Sequence, residues 1–230
     1  PTMRETLSIA VCVSADVTLS DFITPVEIIL GINQCDHPIF GEGMGEVPYQ
    51  VTIDYLSPTL EPVVSIRGHF APTFNPTMIY VDALACGKQF DIIWVPAGLH
   101  FLYIEHPIPK DEIDFITAQA PKAKYIMSVC GGAIQLVLAR VLSGKQATTN
   151  KALYHMIDST PKDIKWVPKA QWVVDGNIWT SSGVSAGYNM ALAFVEHLVG
   201  KKAARVIHGG VEVPEVKDQD DPFAEFHGLV

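Results

Sequence analysis

Of the four cysteines in the 230-residue chain, Cys130 alone lies in a run suited to nucleophilic chemistry. Ser128-Val129-Cys130-Gly131-Gly132 has the form small-x-nucleophile-x-Gly, in which a strained strand-to-helix turn projects a reactive side chain into the open. Its neighbours must be small, because the backbone doubles back there. The helix that follows would aim amide N–H groups and the positive end of its dipole at the sulfur, which favours thiolate. The Gly131 amide would also be placed to bind an oxyanion. Cys12 falls within a strand and Cys86 near a helix end, so both read as core, while Cys35 lies in a loop. No C-x-x-C pair occurs, which indicates neither a zinc site nor a disulfide framework. Asp21, taken by itself, precedes Pro25 at a helix start and reads as a cap. His100 and His155 are lone histidines near the candidate crevice, a setting in which surface or structural roles are the commoner ones.

These residues need a scaffold. Leu7–Ser14, Phe90–Val95 and Lys124–Val129 are short, near-continuous apolar runs, the pattern of central strands buried on both faces. Tyr49–Ser57 alternates like a strand, and Val63–Phe74 reads as a hairpin or irregular excursion. Helical stretches are expected over Pro25–Ile32, Asp111–Ala120, Ala133–Leu142, Lys151–Ser159, Gly187–Val199 and Lys201–His208. Asp111 and Glu112 sit in the first turn of the second of these, where acids complement the dipole. Short strands are expected near Lys145–Thr149, Ile164–Val167, Gln171–Asp175 and Ile178–Thr180, with Asp175-Gly176 as a hairpin turn. Strands alternating with helices argue a mostly parallel sheet covered on both faces, with ligands at the carboxyl ends of the strands. The loops after Ser14, Val95 and Val129 should converge there. No linker divides the chain, so residues 1–230 are expected to form one domain with a solvated tail over about 215–230.

Hydrophobic residues make up 48% and charged residues 18% of the chain, an ordinary globular balance. A net charge of −9 with no basic cluster argues against nucleic acid as a partner. No apolar run reaches the roughly 18 residues of a membrane span, and the polar N-terminus lacks signal-peptide order. The expected location is cytoplasmic. The alternating Gly41, Gly43 and Gly45 lie in a loop with no strand leading in, so a dinucleotide fingerprint is not indicated.

Five segments in this order and spacing resemble the ThiJ/PfpI superfamily over most of the chain: Ser20-Asp21-Phe22-Ile23-Thr24-Pro25-Val26-Glu27, the run Phe90 to Gly98, Ser128 to Ala133, Ala147-Thr148-Thr149-Asn150, and Thr180 to Gly187. The resemblance is strongest to the isocyanide-hydratase-like branch, through the acid in the first loop and Ser182-Gly183-Val184-Ser185-Ala186-Gly187. It implies a class I glutamine-amidotransferase-like fold, a flavodoxin-like three-layer α/β sandwich. It also implies that Cys130 is the nucleophile, that Asp21 is the acid whose carboxyl group touches the sulfur, and that Gly98 and Gly131 are backbone donors facing developing negative charge. A homodimer and the absence of a cofactor are further implications. A carboxylate beside a thiolate repels it, so one proton would be shared between the two groups.

The pattern departs from the family at three positions. Asn150 stands where many members carry His, Gly131 where hydratase-like members often carry Thr, and Asn189 where Asp is common. Asn150, Ser185 and Asn189 are therefore expected to lie behind the groups that touch substrate, and peptidase chemistry is disfavoured. The expected activity is a hydratase or lyase acting on a small electrophile through a covalent Cys130 adduct. The rivals are a glyoxalase or deglycase acting on 2-oxoaldehydes and a non-catalytic redox sensor with an oxidisable Cys130. Substrate choice is expected to rest in loops 34–48, 66–80 and 98–110.

Overall fold

The computed structural model describes residues 3–98 and 107–230. The central sheet is laid down in chain order by β1 (Glu5–Cys12), β2 (Tyr49–Ser57), β3 (Met78–Ile79), β4 (Ile92–Val95) and β5 (Tyr125–Val129). A separate two-stranded ladder pairs β6 (Gln146–Ala147) with β7 (Lys165–Trp166), and the main sheet is completed by β8 (Trp172–Asp175) and β9 (Ile178–Ser181). The order across the seven-stranded sheet is β3-β2-β1-β4-β5-β9-β8, parallel except for the β8–β9 hairpin. This is a flavodoxin-like α/β fold. The chain reverses its direction of travel across the sheet between β1 and β4, and a crevice opens outside the carboxyl ends of strands at such a point.

Two cores flank the sheet. On one face Leu7, Ile9, Val11 and Val13 pack with α1 (Ile23–Leu30) and the long C-terminal helix α5 (Val184–Val211). On the other, Ala10 and Cys12 pack with α2 (Tyr80–Ala85), α3 (Lys110–Gln119) and α4 (Gly132–Leu138). The alternation of β1 residues between the two cores is the period-2 geometry of a strand covered on both sides. Four consecutive residues of β4, Ile-Ile-Trp-Val, are all buried for the same reason. α5 breaks at Gly200, whose φ of 78° and ψ of 166° are not helical, so the expected pair of helices on either side of that residue is present within it.

The helix expected over Lys151–Ser159 is present and winds as a 3-10 helix. Other local expectations are corrected. Cys86 is exposed at the end of α2 instead of packed in the core. The tail is anchored rather than simply solvated: it carries a last short helix, α6 (Phe223–Phe226), and buries Asp221 and Ala224. No helix among the described residues is long and apolar enough to cross a membrane.

Candidate active site

The turn after β5 brings Cys130 into a left-handed conformation, φ 58°, that a non-glycine residue rarely adopts. Three contacts hold it there. The Cys130 N–H donates to the carbonyls of Ser181 and Ser182 at 3.1 and 2.8 Å, and Thr149 Oγ1 donates to the Cys130 carbonyl at 2.7 Å. Gly132 explains the second glycine of the elbow. A Cβ there would lie 2.1 Å from the Val95 carbonyl oxygen, so the first turn of α4 passes against the end of β4 with no space for a side chain. Gly131, by contrast, has ordinary right-handed helical angles.

The sulfur is almost enclosed, at 8% residue exposure. It accepts a hydrogen bond from Asn150 Nδ2 at 3.2 Å and one from the Gly131 N–H. Asn150 is fixed in that orientation, because its Oδ1 caps the following 3-10 helix by accepting from the Ala152 N–H at 2.9 Å. Only the amide nitrogen is left to face the thiol. Asn150 was expected behind the reacting groups; it touches the sulfur directly.

Asp21 enters from the switch-point loop after β1, in a 3-10 turn over Leu19–Asp21 that precedes α1. It is fully buried. Its Oδ2 accepts from the Ala97 N–H at 3.1 Å, and its carbonyl accepts from Trp94 Nε1 at 3.0 Å, so the end of β4 holds both ends of the residue. Oδ1 has no hydrogen-bond partner among the described residues. The side chain does not cap a helix N–H. Its charge is felt at Cys130, although no hydrogen bond joins the carboxyl group to the sulfur.

Burial dominates the protonation of this pair. It raises the Asp21 carboxyl from its ordinary 3.8 to about 7 against the opposing Ala97 N–H bond. It pushes the Cys130 thiol up to about 12, with the Asp21 charge adding to the rise and the Asn150 and Gly131 donors opposing it. Desolvation thus opposes the thiolate that the helix of α4 and the two donors favour.

The other expected positions are more dispersed. Gly98 is buried and bridges Val17, closing the Asp21 loop onto the end of β4. Ser185 is exposed in the first turn of α5 and lines a recess beside Asn150. Asn189 points away from the elbow, with Nδ2 3.4 Å from Gln171 Oε1. His155 is an exposed residue whose Nδ1 lies 3.0 Å from the Ala152 carbonyl, and His100 falls outside the described residues. A cavity of about 580 Å³ is lined by Trp172, Glu196, Arg205 and His208 between α5 and the tail, with none of the elbow residues in its walls. Among the described residues no cluster of His, Cys, Asp and Glu could hold a metal ion.

Directly behind the elbow lies a buried carboxyl group that the sequence did not single out. Glu112 on α3 accepts from Ser14 Oγ, just past β1, and from Gln135 Nε2, in the first turn of α4. It braces the two segments that carry Asp21 and Cys130. Burial without a cation raises it to about 7. Glu112, Phe115, Ile116 and Gln119 are all buried at helical spacing, and this period was the signal available in the sequence.

The DJ-1/PfpI family pattern matches residues 7–197. Isonitrile hydratase of Pseudomonas putida is 34% identical over 151 residues, which cover 64% of this chain and 60% of that enzyme, so less than two thirds of the relative's length is spanned. Protein dj-1beta of Drosophila melanogaster is 25% identical over 133 residues, covering 57% of this chain and 68% of the relative. Among solved structures, a ThiJ/PfpI family protein from Pseudomonas syringae superposes with a TM-score of 0.70 at 22% identity, covering 93% of this chain and 78% of that one. The crystal structure of Drosophila melanogaster DJ-1beta does so with a TM-score of 0.70 at 21% identity, covering 92% and 100%.

Proposed function

From the premise that the chain belongs to the DJ-1/PfpI family, we propose that it is a cofactor-independent cysteine enzyme that adds water to a small electrophile through a covalent adduct on Cys130, in the manner of an isonitrile hydratase. The observation that carries the reading is the strained elbow cysteine, φ 58°, whose sulfur meets two donors and a coupled buried carboxyl group. Above about pH 7 Asp21 is a carboxylate and Cys130 a thiol. In that state the carboxylate takes the thiol proton as sulfur attacks, which avoids any need for a free thiolate at rest.

For an isocyanide, the S–C bond forms at the terminal carbon and Asp21 returns the proton to that carbon, giving a thioimidate. Water adds across the C=N bond, its oxygen to carbon and a proton to nitrogen. The tetrahedral adduct then collapses, the C–S bond breaks, the sulfur recovers a proton, and an N-formamide leaves. Asn150 Nδ2 and the Gly131 N–H stabilise negative charge on sulfur as it departs.

The test combines turnover with trapping. The wild-type chain should convert an alkyl isocyanide to its formamide and show the thioimidate mass on the intact protein, and Cys130→Ala should do neither. An alanine variant turning over at the wild-type rate removes Cys130 from the mechanism. Lactate formed from methylglyoxal, without formamide, would move the activity to the glyoxalase class.

A further inference from the structure

A recess of about 340 Å³ opens between the turn leading into α5 and the C-terminal segment, with Asn150 rather than Cys130 itself in its wall. It begins one side chain from the reacting atom: Asn150, one of its walls, is the residue whose Nδ2 lies 3.2 Å from Sγ. Ser182, another wall, receives the elbow's own N–H. Val184 and Ala186 form the near side and Phe223 the far side.

The far wall is held rather than draped. Lys151 and Asp221 form an ion pair at 3.1 Å with both side chains 2% exposed. The Lys151 ammonium also donates to Thr148 Oγ1 and the Ala170 carbonyl at 2.9 and 2.8 Å. Asp221 Oδ1 accepts from the Phe223 N–H at 2.9 Å, which sets the start of α6, and Ala224 is fully buried beneath it. Gln171 Nε2 donates to the Asp220 carbonyl at 2.8 Å. The pair is internally neutral, and the half-exposed Phe223 ring, Val184 and Ala186 give the recess an apolar lining.

We infer that this recess holds the apolar substituent, aryl or branched alkyl, of the electrophile that Cys130 attacks, and that the C-terminal segment sets substrate size through Phe223. The inference rests on the reading of Cys130 as the nucleophile. It moves substrate selection from the strand-end loops to the end of the chain. A cavity of this volume lies at the small end of ligand pockets, enough for one ring but not for a large ligand.

The experiment uses the full chain and two probes with one warhead, iodoacetamide and its N-benzyl derivative. Labelling of Cys130 is followed by intact mass and peptide mapping, because Cys35 and Cys86 are also accessible. The expected result is a benzyl-to-plain rate ratio at Cys130 that saturates with benzyl probe. That ratio should fall about tenfold in Phe223→Ala, which removes an aromatic contact, and at least as far in Phe223→Trp, which fills the space. Thermal melts confirm that both variants fold. An identical ratio in the wild type and both variants, with Cys130 labelled, overturns the inference and leaves the nucleophile standing. No labelling of Cys130 by either probe overturns the nucleophile reading, and the inference with it.

Discussion

At the scale of single residues, the site is defined by where one proton rests. Burial raises both members of the pair, and at the thiol the Asp21 charge adds to desolvation. The Asp21 carboxyl therefore gains a proton at about pH 7 in the folded chain, against an ordinary value of 3.8. Since the folded state binds that proton more tightly than the unfolded chain, Asp21 favours folding below about pH 4. That contribution fades as pH rises through about 7 and reaches a cost of up to roughly 4 kcal/mol at higher pH. Asp21→Asn, which keeps the acceptor for the Ala97 N–H, should accordingly melt higher than wild type at pH 8 and close to it at pH 4, while losing turnover. Wild-type turnover should rise with pH through about 7, as the carboxylate that accepts the thiol proton forms. A lower melting temperature for the variant at pH 8 would contradict the assignment of a destabilising buried charge.

At the scale of elements, the elbow depends on how closely α4 approaches β4. Gly132→Ala would press a methyl group onto the Val95 carbonyl oxygen, which is backbone and cannot rotate away. The expected cost is about 2–4 kcal/mol, read as a lower urea midpoint, together with slower labelling of Cys130 as the turn shifts. Unchanged stability would mean that α4 is free to slide, contrary to the packing seen. The elbow was legible in the sequence because small residues flank a nucleophile in only a few backbone settings, and β2 was read to the residue, Tyr49–Ser57, because apolar and polar residues alternate from Tyr49 to Tyr55. Other features were not. β3 has two residues and no period, and it passed as part of a loop. The direction of the Asn150 amide depends on the Ala152 N–H, a matter of caps that residue type alone does not reveal. Glu112 looked like a dipole-facing acid and proved to be a buried brace, since first-turn position and core-facing position coincide on α3.

At the scale of the whole molecule, the last fifteen residues are tied to the centre by the buried Lys151–Asp221 ion pair and by Gln171, whose Nε2 donates to the Asp220 carbonyl. Lys151→Met leaves the Asp221 carboxylate buried without its counter-charge and should cost about 3–5 kcal/mol. The double variant Lys151→Met, Asp221→Leu should recover most of it. Limited proteolysis beyond residue 212 would report the same event, with the tail cut early in the single variant and late in the double. Equal sensitivity of both would detach the tail from this anchor.

The groups around Cys130 come from Asp21, Asn150, Ser181 and Ser182, so its surroundings assemble only after the last strand has docked. A growing chain exposes this sulfur long before that strand has been made. In the unfolded chain it is an ordinary thiol with a pKa near ~8.5, a few per cent ionised at neutral pH, whereas the finished fold lifts it to about 12. Completing the sheet is therefore the step that buries this sulfur and disfavours its ionised form.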